Sequence, residues 1–368
     1  MAKPPLPEGG AAARCAVGLL RGLSARGIDC HVLCPRGPGP VPALPPDLSV
    51  EMVAIPQLEL TRIRWNRLVS PLGTLADGPF AEQLRKRARD ADVVHFFELE
   101  AAVAIDVVER PAVAQLDCLT RRDPRSWNPL RAQGRRSIEL LRGELDVRRR
   151  ARWLLVSSEE IREQLAPATP RAEVVVAPLA LDPSHYRPGA TLDSTVAGLI
   201  GTARWPPTAN AVERLLTRVW PLVLERRPEA RLLLGGDGME RSAFSHLPDL
   251  PGVEWRGRVP SAAEFLRELG VLLYPLGAGS GLKVKVLEAL ALGIPIVTTA
   301  DGAEGLGARG GVAVESEDAR IAEVTVALLE DLSIRRAAGA EAHETFLHHH
   351  TPAVAAASVA EVYRRMLS

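Results

Sequence analysis

Only four lysines stand among the 45 basic residues of this 368-residue chain. Two of them, Lys283 and Lys285, lie two apart behind glycines at 277, 279 and 281. Glycine lets backbone N–H groups approach an anion closely, and a helix N-terminus presents the positive end of its dipole. A lysine in a helix's first turn sits against that dipole at a cost of about 0.3–1 kcal/mol, and an anionic ligand reverses the sign. Glu288 follows Lys285 by three residues and shares its helix face. The pattern points to an anion site. The plainer alternative, a surface Lys–Glu pair, explains neither the glycines nor the scarcity of lysine.

Such a loop needs a strand to deliver it and a helix to receive it. The apolar run Gly270–Tyr274 supplies the strand, and a helical pattern from Leu282 to Leu292 follows. The same alternation fills the chain. Strands are expected at Asp29–Leu33, Asp92–Phe97, Ala112–Leu116, Trp153–Val156, Glu173–Ala177, Val196–Gly201, Ala230–Gly235, Gly252–Trp255 and Ile294–Thr299. Helical patterns run over Ala11–Arg26, Thr208–Arg226, Ser261–Leu269 and Ile321–Leu329. Continuous apolar strands between helices predict an α/β fold with parallel sheets covered on both faces. Ligands of such folds bind at the carboxyl ends of the strands.

At roughly 100–200 residues per domain, the length suggests two domains. The aperiodic stretch Pro178–Thr191 reads as the hinge, giving domains at 1–180 and 181–350 and a last helix within 351–368. The chain opens in a loop where a strand is expected, so a first strand is expected upstream of Met1. Hydrophobic residues at 46% and charged residues at 24% exclude a disordered chain, and the net charge of +0 excludes nucleic-acid binding by bulk electrostatics. Segment 121–152 is the exception, carrying eleven arginines against four acids. It is a solvated helix face, or a contact with an acidic partner or, peripherally, with a membrane surface. Cys15, Cys30, Cys34 and Cys118 lack the spacing of a zinc site and are expected as buried free thiols of a cytoplasmic protein. No apolar run reaches the ~18 residues of a membrane span.

The stretch Gly279–Leu306, GSGLKVKVLEALALGIPIVTTADGAEGL, resembles the donor-binding segment of GT-B-fold glycosyltransferases of family 4, the "group 1" glycosyltransferases. Its KVLEALA, GIPIVT and GAEGL elements follow that family's pattern in order. VVVAPLALDPSHYRP resembles the interdomain linker. GTARWPPTANAVERLL and the strand after it resemble the opening of the nucleotide-sugar domain, and PPLPEGGAAARCAVGLLRGLSARGIDCHVL resembles the N-terminal opening. The resemblance implies two Rossmann-like domains facing across a cleft and retaining sugar transfer from a nucleotide-diphosphate-sugar, UDP- or GDP-linked. The acceptor it implies is a glycan, lipid or small molecule, with no metal and no other cofactor.

Roles transfer by position. The resemblance implies that Glu288 hydrogen-bonds the ribose. It implies that Gly279, Ser280, Gly281 and Leu282 cradle the diphosphate, and that Arg204 neutralises the leaving group. Arg258 and Val259 would lie beside the base, while Gly9 and Gly10 would close over the donor. Lys283, nearer the helix start, is expected to face the phosphates, and Lys285 to orient Glu288. His95 ends an N-domain strand where the family carries an acceptor-side histidine, with Asp117 on the next strand as rival; a hydrogen-bonded, half-buried histidine is the plainer reading of His95. Two positions depart from the family pattern. Ser280 replaces a second glutamate, and Ala209 and Asn210 stand where a lysine is common. These departures keep open an inactive GT-B subunit with an assembly or regulatory role. A nicotinamide-dependent dehydrogenase fits poorly, because no strand runs into G-x-G-x-x-G.

Overall fold

The computed structural model describes residues 1–37, 40–54, 75–122, 127–188, 194–279 and 281–368. It divides the chain into two units, Met1–Ala180 with Pro352–Ser368 and Leu181–Thr351.

The first unit opens with α1 (Ala11–Ala25), whose Ala13, Cys15–Leu19 and Leu23 are buried, and the chain turns out of the helix at Gly27 (φ 77°). Then come β1 (His31–Arg36), β2 (Ser49–Ala54), α2 (Gly78–Ala88), β3 (Val94–Phe97), α3 (Leu99–Ala102), β4 (Ala112–Leu116), α4 (Ala132–Arg150), β5 (Trp153–Val156), α5 (Glu159–Leu165) and β6 (Glu173–Val176). β1 and β2 pair in parallel as one small sheet, and β3-β4-β5-β6 form a second parallel sheet. Leu154, Leu155 and Val156 are fully buried, as a strand covered on both faces requires. The Ser158 side chain caps α5 by accepting from the Ile161 amide at 3.2 Å. The C-terminal helix (Pro352–Leu367) belongs to this unit and lies on α1, so close that a Cβ at Gly22 would stand 2.1 Å from the Pro352 carbonyl oxygen. Arg365 anchors its far end, pairing with Glu173 and lying 5.1 Å above the Trp153 ring.

The second unit runs β7 (Val196–Ile200), α6 (Pro206–Arg214), α7 (Trp220–Arg226), β8 (Arg231–Gly235), β9 (Val253–Gly257), α8 (Ala262–Arg267), β10 (Val271–Tyr274), α9 (Val284–Leu292), β11 (Ile296–Thr298), β12 (Val312–Val314), α10 (Asp318–Glu330) and α11 (Leu332–His349). Its six strands are all parallel, in the order β12-β11-β10-β7-β8-β9. The chain winds outward from β7 in one direction and from β10 in the other. The topological switch point therefore lies between β7 and β10, the place where ligands of open α/β sheets bind.

Several elements differ from expectation. β2 and β12 were not anticipated. The single helix expected at Thr208–Arg226 is interrupted by a π-helical turn at Leu215–Val219 just before Pro221, which has no N–H for the helical ladder. α9 starts at Val284, so Lys283 is its N-cap rather than a first-turn residue. Of the four free thiols, Cys15 and Cys34 are buried, Cys30 is half-buried and Cys118 is exposed. The expectation of four buried thiols holds for Cys15 and Cys34 and fails at Cys30, just before β1, and at Cys118, just beyond the end of β4 and outside the sheet core.

Candidate functional site

The glycine loop joins β10 to α9. Gly279 (φ 139°) and Gly281 (φ 73°) hold left-handed backbone that an L side chain resists, so the loop's path depends on glycine. Ser280 lies outside the described residues. Leu282 is buried and closes the loop onto α9, nearly all of which is buried.

The two lysines part company here. Lys283 is 5% exposed; its ammonium donates to the Gly281 carbonyl and lies 3.8 Å from the Glu304 carboxylate, itself 3% exposed. Lys285, two residues on, leaves α9 toward the strand ends. Its Nζ stands 5.1 Å from the Tyr274 ring at the end of β10 and 5.5 Å from the Trp205 ring at the start of α6. A Cβ added to Gly201, directly after β7, would meet that Nζ at 2.8 Å. Lys285 thus occupies the switch point between β7 and β10, its charge faced by aromatic rings and, among the described residues, paired with no carboxylate. The expected pairing of Lys285 with Glu288 is not what the structure contains. Glu288, 2% exposed, accepts a 2.8 Å hydrogen bond from the Tyr186 hydroxyl instead. Lys283, expected at the phosphates, is engaged within the loop.

Arg204 precedes α6 and is largely exposed, 3.3 Å from Asp237 in the loop after β8. A pocket of about 430 Å³ opens beside it, lined also by Ala209, Glu213, Phe244 and His246. The small Ala209 side chain, where a lysine is common in the family pattern, forms part of its wall. Arg258 is exposed and Val259 half-buried, both in the loop beyond β9 at the same carboxyl edge of the sheet. Close backbone packing builds that edge. Gly236 (φ 125°) would place a Cβ 1.9 Å from the Gly201 carbonyl oxygen, so only glycine lets these two loops touch.

The remaining expected residues belong to the first unit. Gly9 closes a turn by donating to the Leu6 carbonyl at 3.0 Å, and Gly10 is the N-cap of α1. His95, on β3, is held at both ring nitrogens. Nδ1 is 2.7 Å from the Tyr363 hydroxyl and Nε2 is 3.0 Å from Gln115 Oε1. Gln115 Nε2 donates to both Asp117 oxygens at 3.0 Å, so its carbonyl faces the histidine. Nε2 of His95 therefore carries the proton and Nδ1 accepts from Tyr363. Burial lowers the imidazole pKa to about 4, keeping it neutral. Burial likewise raises Asp117 to about 6, and burial with Glu100 and Asp117 nearby raises Glu98 to about 7. Glu98 has φ 73°, a strained backbone for a residue other than glycine. Among the described residues no group of three or more His, Cys, Asp or Glu side chains is arranged to hold a metal ion.

Sequence reasoning missed Tyr186, Glu304 and the Trp205–Tyr274 pair. Glu304 stands in the GAEGL element and Tyr186 in the linker, but nothing in their spacing announces which buried charge or carboxylate each meets.

The description "Glycosyltransferase Family 4" matches residues 9–185, and "Glycosyl transferases group 1" matches residues 194–331. The chain belongs to this glycosyltransferase family. It is a transferase of glycosyl groups (EC 2.4), with the two Rossmann-like sheets of the GT-B fold. A search of curated proteins returns no significant match. Similar solved structures include Anabaena HepE in complex with UDP and glucose, 16% identical, covering 98% of this chain and 97% of that one at a TM-score of 0.67. Sucrose-phosphate synthase from Thermosynechococcus elongatus is 15% identical, with 97% and 94% covered and a TM-score of 0.72. A glycosyltransferase from Rickettsia africae is 12% identical, with 100% and 97% covered and a TM-score of 0.63.

Proposed function

We propose that this glycosyltransferase takes a sugar from a nucleoside diphosphate sugar, with retention of anomeric configuration, and passes it to a glycan, lipid or small-molecule acceptor bound by the first unit. The observation that carries the donor half is Lys285, a cation at the β7–β10 switch point beside a loop in which Gly279 and Gly281 have positive φ. As the sugar leaves, charge grows on the β-phosphate, and preorganised cations and backbone N–H groups lower that barrier. We assign this role to Lys285, Arg204 and the Gly279–Leu282 backbone, with no metal required. Lys283 braces the loop from beneath.

Glu288, oriented by Tyr186, is proposed as the acceptor of the ribose hydroxyl hydrogen bonds, and the Arg258–Val259 loop as the neighbour of the base. Gly9 and Gly10 are proposed to close over the donor. His95, neutral and held at both nitrogens, is assigned to the support of the acceptor side rather than to proton transfer. A uridine donor is favoured because the HepE structures hold UDP, UDP with glucose, or UDP-glucose.

A thermal-shift panel of UDP-, GDP- and ADP-sugars tests the reading, since a ligand at 100 times its Kd adds about 2.7 kcal/mol to stability. Stabilisation by one nucleotide series, with slow sugar release that Glu288→Ala abolishes, is the expected result. Stabilisation without turnover toward any acceptor would favour the inactive subunit, and no stabilisation by any member would reject the donor site.

A further inference from the structure

Helix α4 carries a feature that glycosyl transfer leaves unused. Counted from its N-cap, Arg131, Arg135, Arg142 and Arg149 fall within about 40° of one another around the axis and span ~27 Å of its length. All four are exposed. Of the acids of the same helix, Glu144 lies on the far side, while Asp146 and Glu139 border the stripe about 20° and 40° beyond its edge; all three are engaged, Glu139 with Arg136, Glu144 with Arg148, and Asp146 with Arg150. In a chain with no net charge, this is a concentrated positive face.

At the N-terminal end of the stripe the turn before α4 presents two apolar side chains to solvent. Leu130 is 86% exposed and Trp127 is 40% exposed. The turn is built, not loose. Asn128 Oδ1 accepts from the Leu130 amide at 3.0 Å, and the Asn128 carbonyl accepts from the Arg131 amide at 3.1 Å. Arg135 Nη1 donates to the Leu130 carbonyl at 3.0 Å, and a Cβ at Gly134 would stand 1.8 Å from the Asn128 carbonyl oxygen. The fold thus spends a side-chain cap, a guanidinium and a glycine on holding a leucine out in water. An exposed apolar tip beside a row of arginines has the chemistry of an interfacial anchor, in which apolar groups enter the headgroup boundary and cations meet anionic lipid.

We propose that this face of the first unit, with Trp127, Leu130, Arg131, Arg135, Arg142 and Arg149, docks the protein on an anionic lipid bilayer. Charge complementarity and the apolar tip together select this occupant. A soluble polyanion would use the arginines and leave the leucine idle. The inference is independent of the donor site, all of whose strand-end residues belong to the second unit.

Co-sedimentation of the full chain with vesicles tests it. Binding to phosphatidylcholine vesicles containing phosphatidylglycerol, and not to phosphatidylcholine alone, is expected. Arg131 and Arg149 have no side-chain partner among the described residues, so Arg131→Gln with Arg149→Gln leaves the fold intact. The pair should weaken binding about 25-fold, at about fivefold per charge, the equivalent of ~1 kcal/mol per basic residue at such a surface. Leu130→Ser should weaken it about tenfold at any salt concentration. Lys86→Gln, an exposed lysine of α2, is the control and should change nothing. Equal binding to neutral vesicles, or full binding by Leu130→Ser, overturns the proposal. Inorganic polyphosphate binding as tightly as the vesicles and indifferent to Leu130→Ser would make the face a polyanion site and overturn it too.

Discussion

Replacing Lys283 by Met separates two ideas about the glycine loop. Lys283 and Glu304 are 5% and 3% exposed, with nitrogen and oxygen 3.8 Å apart. Removing one partner of a buried ion pair costs about 3–5 kcal/mol, because the other charge keeps its desolvation penalty and loses its counter-charge. For a unit the size of Leu181–Thr351 each kcal/mol moves the melting temperature by about 2–4 °C. Lys283→Met should therefore lower the melting transition of the second unit by roughly 6–20 °C. Replacing both partners by apolar groups of similar size is often close to neutral. The double variant Lys283→Met with Glu304→Leu should accordingly recover most of the loss, with a coupling energy of at least about 2 kcal/mol in a double-mutant cycle. Calorimetry on the four proteins reads this directly. A Lys283→Met protein that melts like the wild type but loses nucleotide-sugar stabilisation would refute the reasoning, and would return Lys283 to the phosphates.

Lys285→Ala should leave the melting temperature nearly unchanged and lower turnover by about 10²–10³, the loss typical of one oxyanion-type donor, with a smaller rise in the donor's Michaelis constant; steady-state kinetics with Lys86→Ala as control reads both. Glu288→Ala should weaken nucleotide binding by about 2–4 kcal/mol, and Tyr186→Phe by about 1 kcal/mol, in calorimetric titrations, because the tyrosine only orients the carboxylate. His95 stays neutral in the folded chain down to about pH 4, whereas in the unfolded chain it takes up a proton below about 6.5. Between those values the unfolded state binds more protons, so this residue's contribution to stability rises with pH. The stability difference between wild type and His95→Gln in urea melts should then move in favour of the wild type by up to about 1.4 kcal/mol per pH unit from pH ~4 to ~6.5, with no slope expected above that range.

Hydrophobic runs revealed most of the architecture. The strands at Ala112–Leu116 and Trp153–Val156 are legible because both faces are buried and the apolar residues run on without a break. β2 escaped notice because Ser49–Ala54 is short, half-buried and follows a proline-rich stretch, and β12 because three residues carry no period. The glycine loop was legible for a similar local reason, since positive φ requires glycine. The partners of the charged groups were not. Tyr186 and Glu288 meet across 102 residues of sequence, and only the fold brings them together. The choice between two lysines two apart turned on their helix start. α9 begins two residues later than expected, at Val284, which leaves Lys283 under the loop and sends Lys285 to the strand ends.

The placement of the C-terminal helix has a consequence for how the protein is made. The first unit needs Pro352–Ser368, which are made only after the whole of the second unit, whereas the second unit is a single stretch from Leu181 to Thr351. Where that stretch begins and ends its chain lies side by side, the Leu181 amide donating to the His350 carbonyl at 3.2 Å. The second unit is in effect an insert threaded into the first, with adjacent entry and exit. During synthesis it can complete its sheet while the first unit still waits for the helix that covers α1. Emergence of Pro352–Ser368, rather than of residue 180, is then the event that commits the N-terminal half to its final form.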